Sequence, residues 1–172
     1  MANTEFVKCR YKHCDKLHSD TKVKKEEAVQ GGVNFYYHPD CFHMKKTIEE
    51  IRDLFIKYVD PTLNAKQIGM LVKVINDIVF VKKIDVDYLK FCLGYYIKYK
   101  PGTLKYPGGL HYIFNQKEVK DAWNKYQSYK IKEEIKLSNQ NDTNINTTSI
   151  DLSKTSFTYT PRKQKSFEDI LG

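Results

Sequence analysis

Long apolar runs are what this sequence most plainly lacks. No stretch approaches 18 consecutive apolar residues, so none has the length that a membrane-spanning helix requires. The N-terminal stretch MANTEFVKCRYKHC has no apolar signal core, and the expected location is the cytoplasm. Blocks of five or six like charges are also missing, so no basic arm is predicted. Neither G-x-x-x-x-G-K-[ST] nor G-x-G-x-x-G occurs, which leaves Gly108 and Gly109 as a turn between helices rather than a phosphate cradle. No internal repeat is visible. Glu49 with Glu50, and Glu133 with Glu134, are sequence neighbours; on a helix they point in different directions and make solvated faces, not catalytic pairs. His111 has no nucleophile or base beside it. The expectation is a protein that is not an enzyme.

What is present is charge, aromatics and a clustered set of cysteines. The net charge is +8 and the pI about 9.1, which permits nucleic-acid binding without specifying it. Residues 138–172 carry four basic and four acidic residues, so the whole excess lies in residues 1–137, spread thinly. Of the four cysteines, Cys9, Cys14 and Cys41 fall among histidines, a pattern that suggests metal more than disulfides. Cys92 lies in an apolar stripe and reads as a buried, inert thiol.

Cys9 and Cys14 form a C-x4-C pair, and His38 and Cys41 an H-x2-C pair, separated by 23 residues. Zinc commonly takes four Cys/His ligands as two such short-range pairs from distant chain positions. The second pair sits where a helix begins, with Pro39 stiffening the loop and backbone N–H groups available to the Cys41 thiolate. Filling all four positions with protein closes the ion to substrate, so the zinc is expected to be structural. His13, His18 and His43 are alternative ligands.

Three regions are expected. Residues 5–59 make a zinc finger with a first helix, residues 60–137 a helical domain and residues 138–172 a disordered tail. In the finger, Gly31 and Gly32 are expected to turn a β-hairpin whose second arm is aromatic. Ile48, Ile51, Phe55 and Val59 then recur at helical spacing. Asp60 and Pro61 stop that helix, and offer a cap and first residue for the next. Ile68, Leu71, Val72, Ile75, Ile78 and Val79 form a second stripe. Asp85 or Asp87 caps a third helix through Leu89, Cys92, Leu93 and Tyr96. KPGTLKYPGGL is a loop, LHYIF a short turn, and a last helix spans roughly 117–136. The tail is Asn/Thr/Ser-rich and buries too little apolar surface to offset its ordering entropy. The fold class is mainly α.

The stretch FYYHPDCF resembles the second half of LIM-type and related treble-clef zinc fingers. In those, an aromatic strand leads into H-x-x-C at the start of a helix. The resemblance spans residues 9 to about 59 and implies the order knuckle, hairpin, helix; the C-x4-C departs from the usual C-x2-C. More widely, VKCRYKHC, YYHPDC, LVKVINDIVFVKKID, LKFCLGYYIKYK and LKYPGGLHYIF resemble a group of small uncharacterised proteins from phages and prophages of Gram-positive bacteria. That likeness implies a zinc finger joined to helices and, if phage-encoded, a host cytoplasm; it implies no activity.

Two binding functions compete. LIM-type fingers bind proteins, and the end of the chain, SFEDILG, is a short acidic-apolar motif. Its residues Phe167, Glu168, Asp169, Ile170 and Leu171 on a tethering tail suit a groove on a host or phage protein. Alternatively, Tyr95, Lys98, Tyr99, Lys100 and Lys105 interleave aromatic and basic side chains in the way that single-stranded nucleic acid is held. The sequence leads to the protein-binding reading, with nucleic acid as the rival. Oligomeric state is not legible.

Overall fold

The computed structural model describes residues 5–142, with side chains through Lys136. The chain divides into two compact units, Met1–Ile131 and Lys132–Gly172. The hairpins, the helical core and the candidate site all belong to the first.

Two small hairpins open the chain. Strand β1 (Phe6–Lys8) pairs antiparallel with β2 (Lys22–Lys24), setting Val7 opposite Val23. Each strand covers its central valine best and turns its flanking residues outward, the period-2 pattern of a half-buried ribbon. Strands β3 (Val29–Gly32) and β4 (Phe35–Tyr37) form the second hairpin, with a register shift at Gly31. The hairpins join where Cys9 bridges Tyr36 and the Arg10 N–H donates to the Tyr36 carbonyl at 2.9 Å.

The turn of the second hairpin differs from expectation. Gly31 and Gly32 lie in β3, and Val33 and Asn34 make the turn, with Asn34 at φ 60°. Asn enters that left-handed region more readily than most residues. Gly31 is needed for space instead: a Cβ there would stand 2.7 Å from the Tyr37 ring and 3.0 Å from the Phe42 ring.

Helix α1 (Pro39–Tyr58) starts with Pro39 in its first turn, where the missing N–H leaves no bond unmade. It buries Ile48, Ile51 and Phe55. Asp60 then closes a turn by accepting from the Thr62 N–H at 3.0 Å and hydroxyl at 2.6 Å. Asp60 and Pro61 therefore end α1 but do not begin α2 (Ala65–Asn76). The cap of α2 is Asn64, in a reciprocal box with Gln67: each side chain accepts from the other residue's N–H, at 3.0 and 2.9 Å. Such a box satisfies two otherwise orphaned donors.

After α2 the helix widens by one residue over Asp77–Val81, where the Lys82 N–H reaches back to the Asp77 carbonyl at 3.0 Å. Asp85 caps α3 (Val86–Tyr99) by accepting from the Tyr88 N–H at 2.8 Å. A loop with one 3-10 turn leads to the short α4 (Leu110–Ile113), and α5 runs over Lys117–Asp142, past the expected boundary at 137. The rest of the tail lies outside the described residues.

The core sits where α1 packs against α3 and α2, with α4 closing one end. Ile51, Phe55, Leu71, Ile75, Leu89 and Leu93 are fully buried there, each contributing about 1.5–3 kcal/mol of apolar transfer. On α5, Val119 is buried, and Trp123 packs its ring against Phe91 at 5.1 Å and Tyr88 at 5.4 Å. The fold is thus mainly helical with a small hairpin region at the N-terminus. Among the described residues, no helix is long and apolar enough to cross a membrane.

Candidate metal centre

The hairpins and α1 converge on the two residue pairs singled out by spacing. Cys9 follows β1, Cys14 opens a 3-10 turn, His38 follows β4 and Cys41 lies in the first turn of α1. The three sulfurs and one ring nitrogen of His38 all lie within 4.8 Å of one another. The cysteines are free thiols and are buried. This set can hold a metal ion.

Hydrogen bonds orient the ligands. His38 Nε2 lies 3.2 Å from the Lys22 carbonyl; a carbonyl only accepts, so Nε2 carries the proton. That leaves the Nδ1 lone pair directed at the Cys14 sulfur, 3.5 Å away. The tautomer needed for metal binding is thereby fixed by β2. Behind His38, the His18 ring stacks at 3.9 Å and 17°. His18 Nε2 in turn lies 3.0 Å from the Asp40 carboxylate, which also accepts from the Cys41 N–H at 2.9 Å.

The electrostatics of the metal-free cluster distribute charge unevenly. At Cys9, burial opposes the thiolate, but hydrogen bonds, chiefly from the backbone of Tyr11 and His38, hold its pKa below the ordinary thiol value. Cys14 is pushed up to about 11 by burial and by Cys9. Cys41 is pushed higher still, by burial and by the neighbouring Cys9 and Cys14. Three sulfurs this close cannot all ionise unless a cation joins them.

The alternative histidines are separated by the structure. His18 stands close, forming with Asp40 and Cys41 a second group within 4.8 Å. His13 packs on the Phe80 ring at 4.7 Å, where burial and the nearby Lys16 and Lys12 push its pKa down. His43 is exposed and pairs with Asp87 at 2.8 Å. His18 is among the alternative ligands named from the sequence, whereas the supporting roles of Asp40 and Tyr11 carry no spacing signature.

Elsewhere, Tyr95 packs on Tyr96 and Tyr99, at 6.5 and 4.8 Å. Lys98 and Lys105 are exposed, whereas Lys100 is drawn into an ion pair with Glu118. Lys98 Nζ lies over the Tyr99 ring at 5.3 Å. Cys92 is buried in α3, with its pKa pushed up to about 12 by burial. Glu49 pairs with Lys45 at 2.7 Å and Glu50 with Lys90 at 2.5 Å, so both are solvated ion-pair partners. Residues 167–171 lie outside the described residues.

Comparison with protein-family models, with curated proteins and with solved structures returns no match for this chain.

Proposed function

We propose that this chain is a non-enzymatic zinc protein that binds a protein partner through its finger. The donor set supports zinc: three thiolates and one imidazole suit a borderline-soft ion with tetrahedral preference. Zn–S bonds of about 2.3 Å give tetrahedron edges of about 3.8 Å, inside the 4.8 Å spread of the ligand atoms. With four protein ligands no position stays open for substrate, so the ion would supply folding energy and not chemistry.

The observation that carries the partner reading is the apolar rim of the finger. Val33 at the hairpin turn is 82% exposed, Phe35 50% and Phe6 56%. Apolar side chains left exposed on the hairpins fit a protein contact. The resemblance to LIM-type fingers and to phage and prophage proteins supports a host or phage protein as that partner. The tail motif at residues 167–171 would be a second, tethered contact. The test is retention of a partner from host lysate by zinc-loaded protein and by a Val33→Ser/Phe35→Ser variant of equal zinc content. Retention by the first alone supports the reading; equal retention refutes the role of the rim.

Nucleic-acid binding is the second reading. It is favoured by the exposure of Lys98, Tyr99, Lys105, Tyr106 and Tyr112 around the loop after α3. Labelled single-stranded and duplex DNA at low and moderate salt would decide it, since phosphate contacts give a steep salt dependence. No binding even at low salt removes it.

A further inference from the structure

A cleft of about 220 Å³ opens where the first knuckle meets α1 and α2. Its charged rim is Lys12 from the knuckle and Lys45, Glu49 and Arg52 from successive turns of α1. Three cations thus face one carboxylate. Among the described residues Lys12 has no carboxylate partner. Lys45 and Arg52 pair with Glu49 and Asp53, both within α1 and both at 2.7 Å. Partly exposed pairs of this kind exchange readily for a better anion.

Two further features belong to the lining. Tyr11 lines the cleft, and its buried hydroxyl has no hydrogen-bond partner among the described residues. A buried donor in that state is uncommon and calls for an acceptor. Beside the charges, Ile48 and Val72 supply an apolar part of the lining. The knuckle is held between Cys9 and Cys14, so Lys12 is presented from a fixed loop and little ordering is left for the ligand to impose.

We infer that this cleft binds a phosphate group, with the apolar wall receiving part of the carbon skeleton that carries it. Arg52 supplies a planar fork suited to phosphate oxygens, and Lys12 and Lys45 supply point charges. At about 220 Å³ the space is below the roughly 300 Å³ at which ordinary small-molecule pockets begin. It therefore takes one phosphate with a small attached group. That phosphate can belong to a free phosphate ester or to a nucleic-acid backbone.

The test is an amide-shift titration of the full zinc-loaded chain with inorganic phosphate, sodium acetate, a mononucleotide and a single-stranded oligonucleotide, at constant ionic strength. Phosphate should move the signals of residues 11–13, 45–52 and 72–76. Lys12→Ala and Arg52→Ala should each weaken it about tenfold, the usual order for losing one charge-assisted contact. Lys66→Ala, an equal charge change outside the cleft, should leave it unmoved. Zinc content and the signals of the hairpins report that each variant is folded. Stronger binding of the mononucleotide than of the oligonucleotide assigns a free ester; stronger binding of the oligonucleotide assigns the backbone. Acetate binding as tightly as phosphate, shifts that survive both variants, or no shift with any probe would each overturn the assignment.

Discussion

Removing the metal is expected to unfold the finger and spare the helices. The finger has little else to hold it. Apart from its cysteines, its buried hydrophobic residues are Val23 and Tyr37, worth about 1.5–3 kcal/mol each. A structural zinc contributes about 10–16 kcal/mol in finger peptides at neutral pH, so the metal outweighs the apolar core severalfold. The helical body has the opposite balance: Ile51, Phe55, Leu71, Ile75, Ile78, Leu89 and Leu93 are all fully buried. Every α-helix of the described residues begins at Pro39 or later. With chelator at neutral pH, the 222 nm ellipticity should therefore barely change. Amide signals of residues 5–37 should collapse to the narrow dispersion of an unfolded chain, and zinc should restore them. If those signals stay dispersed after metal analysis shows the ion gone, the thiols are an ordinary small core and the reasoning fails.

Three other outcomes follow from the same geometry. Because Cys14 sits at about 11 and Cys41 above it, the metal-free cluster holds protons at neutral pH that a metal must displace. Affinity should weaken as pH falls, about tenfold per pH unit for each proton released; calorimetry in buffers of differing ionisation enthalpy counts the protons, and a count of zero contradicts the ligand set. Gly31→Ala should destabilise the finger by about 1–3 kcal/mol through overpacking against Tyr37 and Phe42, whereas Gly69→Ala, open to solvent on α2, should stabilise the helical body by about 0.5–1 kcal/mol; thermal melts read both, and the same sign for the two would refute the assignment of space. Cys92→Ala should keep the full zinc stoichiometry while Cys41→Ser loses it, as measured by metal analysis of the purified variants.

The helices were legible because their apolar residues recur at 3.6 and the residues that do so are the ones that pack: Ile48, Ile51 and Phe55 on α1, Leu71 and Ile75 on α2. An apolar-periodic run begins just after Asp85 and Asp87, which made both candidate caps, and Asp85 takes the role. Asp60 misled for the same reason. Its carboxylate is consumed by Thr62, and the start of α2 is set instead by the local capping box of Asn64 with Gln67. Ligand pairs are local in sequence, so C-x4-C and H-x2-C could be read directly. The β1–β2 hairpin could not: each strand has three residues, with one inward valine apiece, and the knuckle separates them. The support from His18 and the Lys22 carbonyl is assembled only by folding and leaves no trace in spacing.

The widened turn at Asp77–Val81 carries the aromatic ring that meets the knuckle of the finger. An α-helix advances about 100° per residue, so one extra residue in a single turn changes the phase of everything after it. Before the turn, Leu71 and Ile75 face the helical core; within it, Phe80 meets the His13 ring at 4.7 Å and the Tyr11 ring at 6.4 Å. Side chains on one continuous rod thus serve two different surfaces. The alignment between finger and helices is counted out in whole residues, like teeth on a gear. Shortening the rod by one tooth would leave both surfaces intact and still turn Phe80 away from the knuckle.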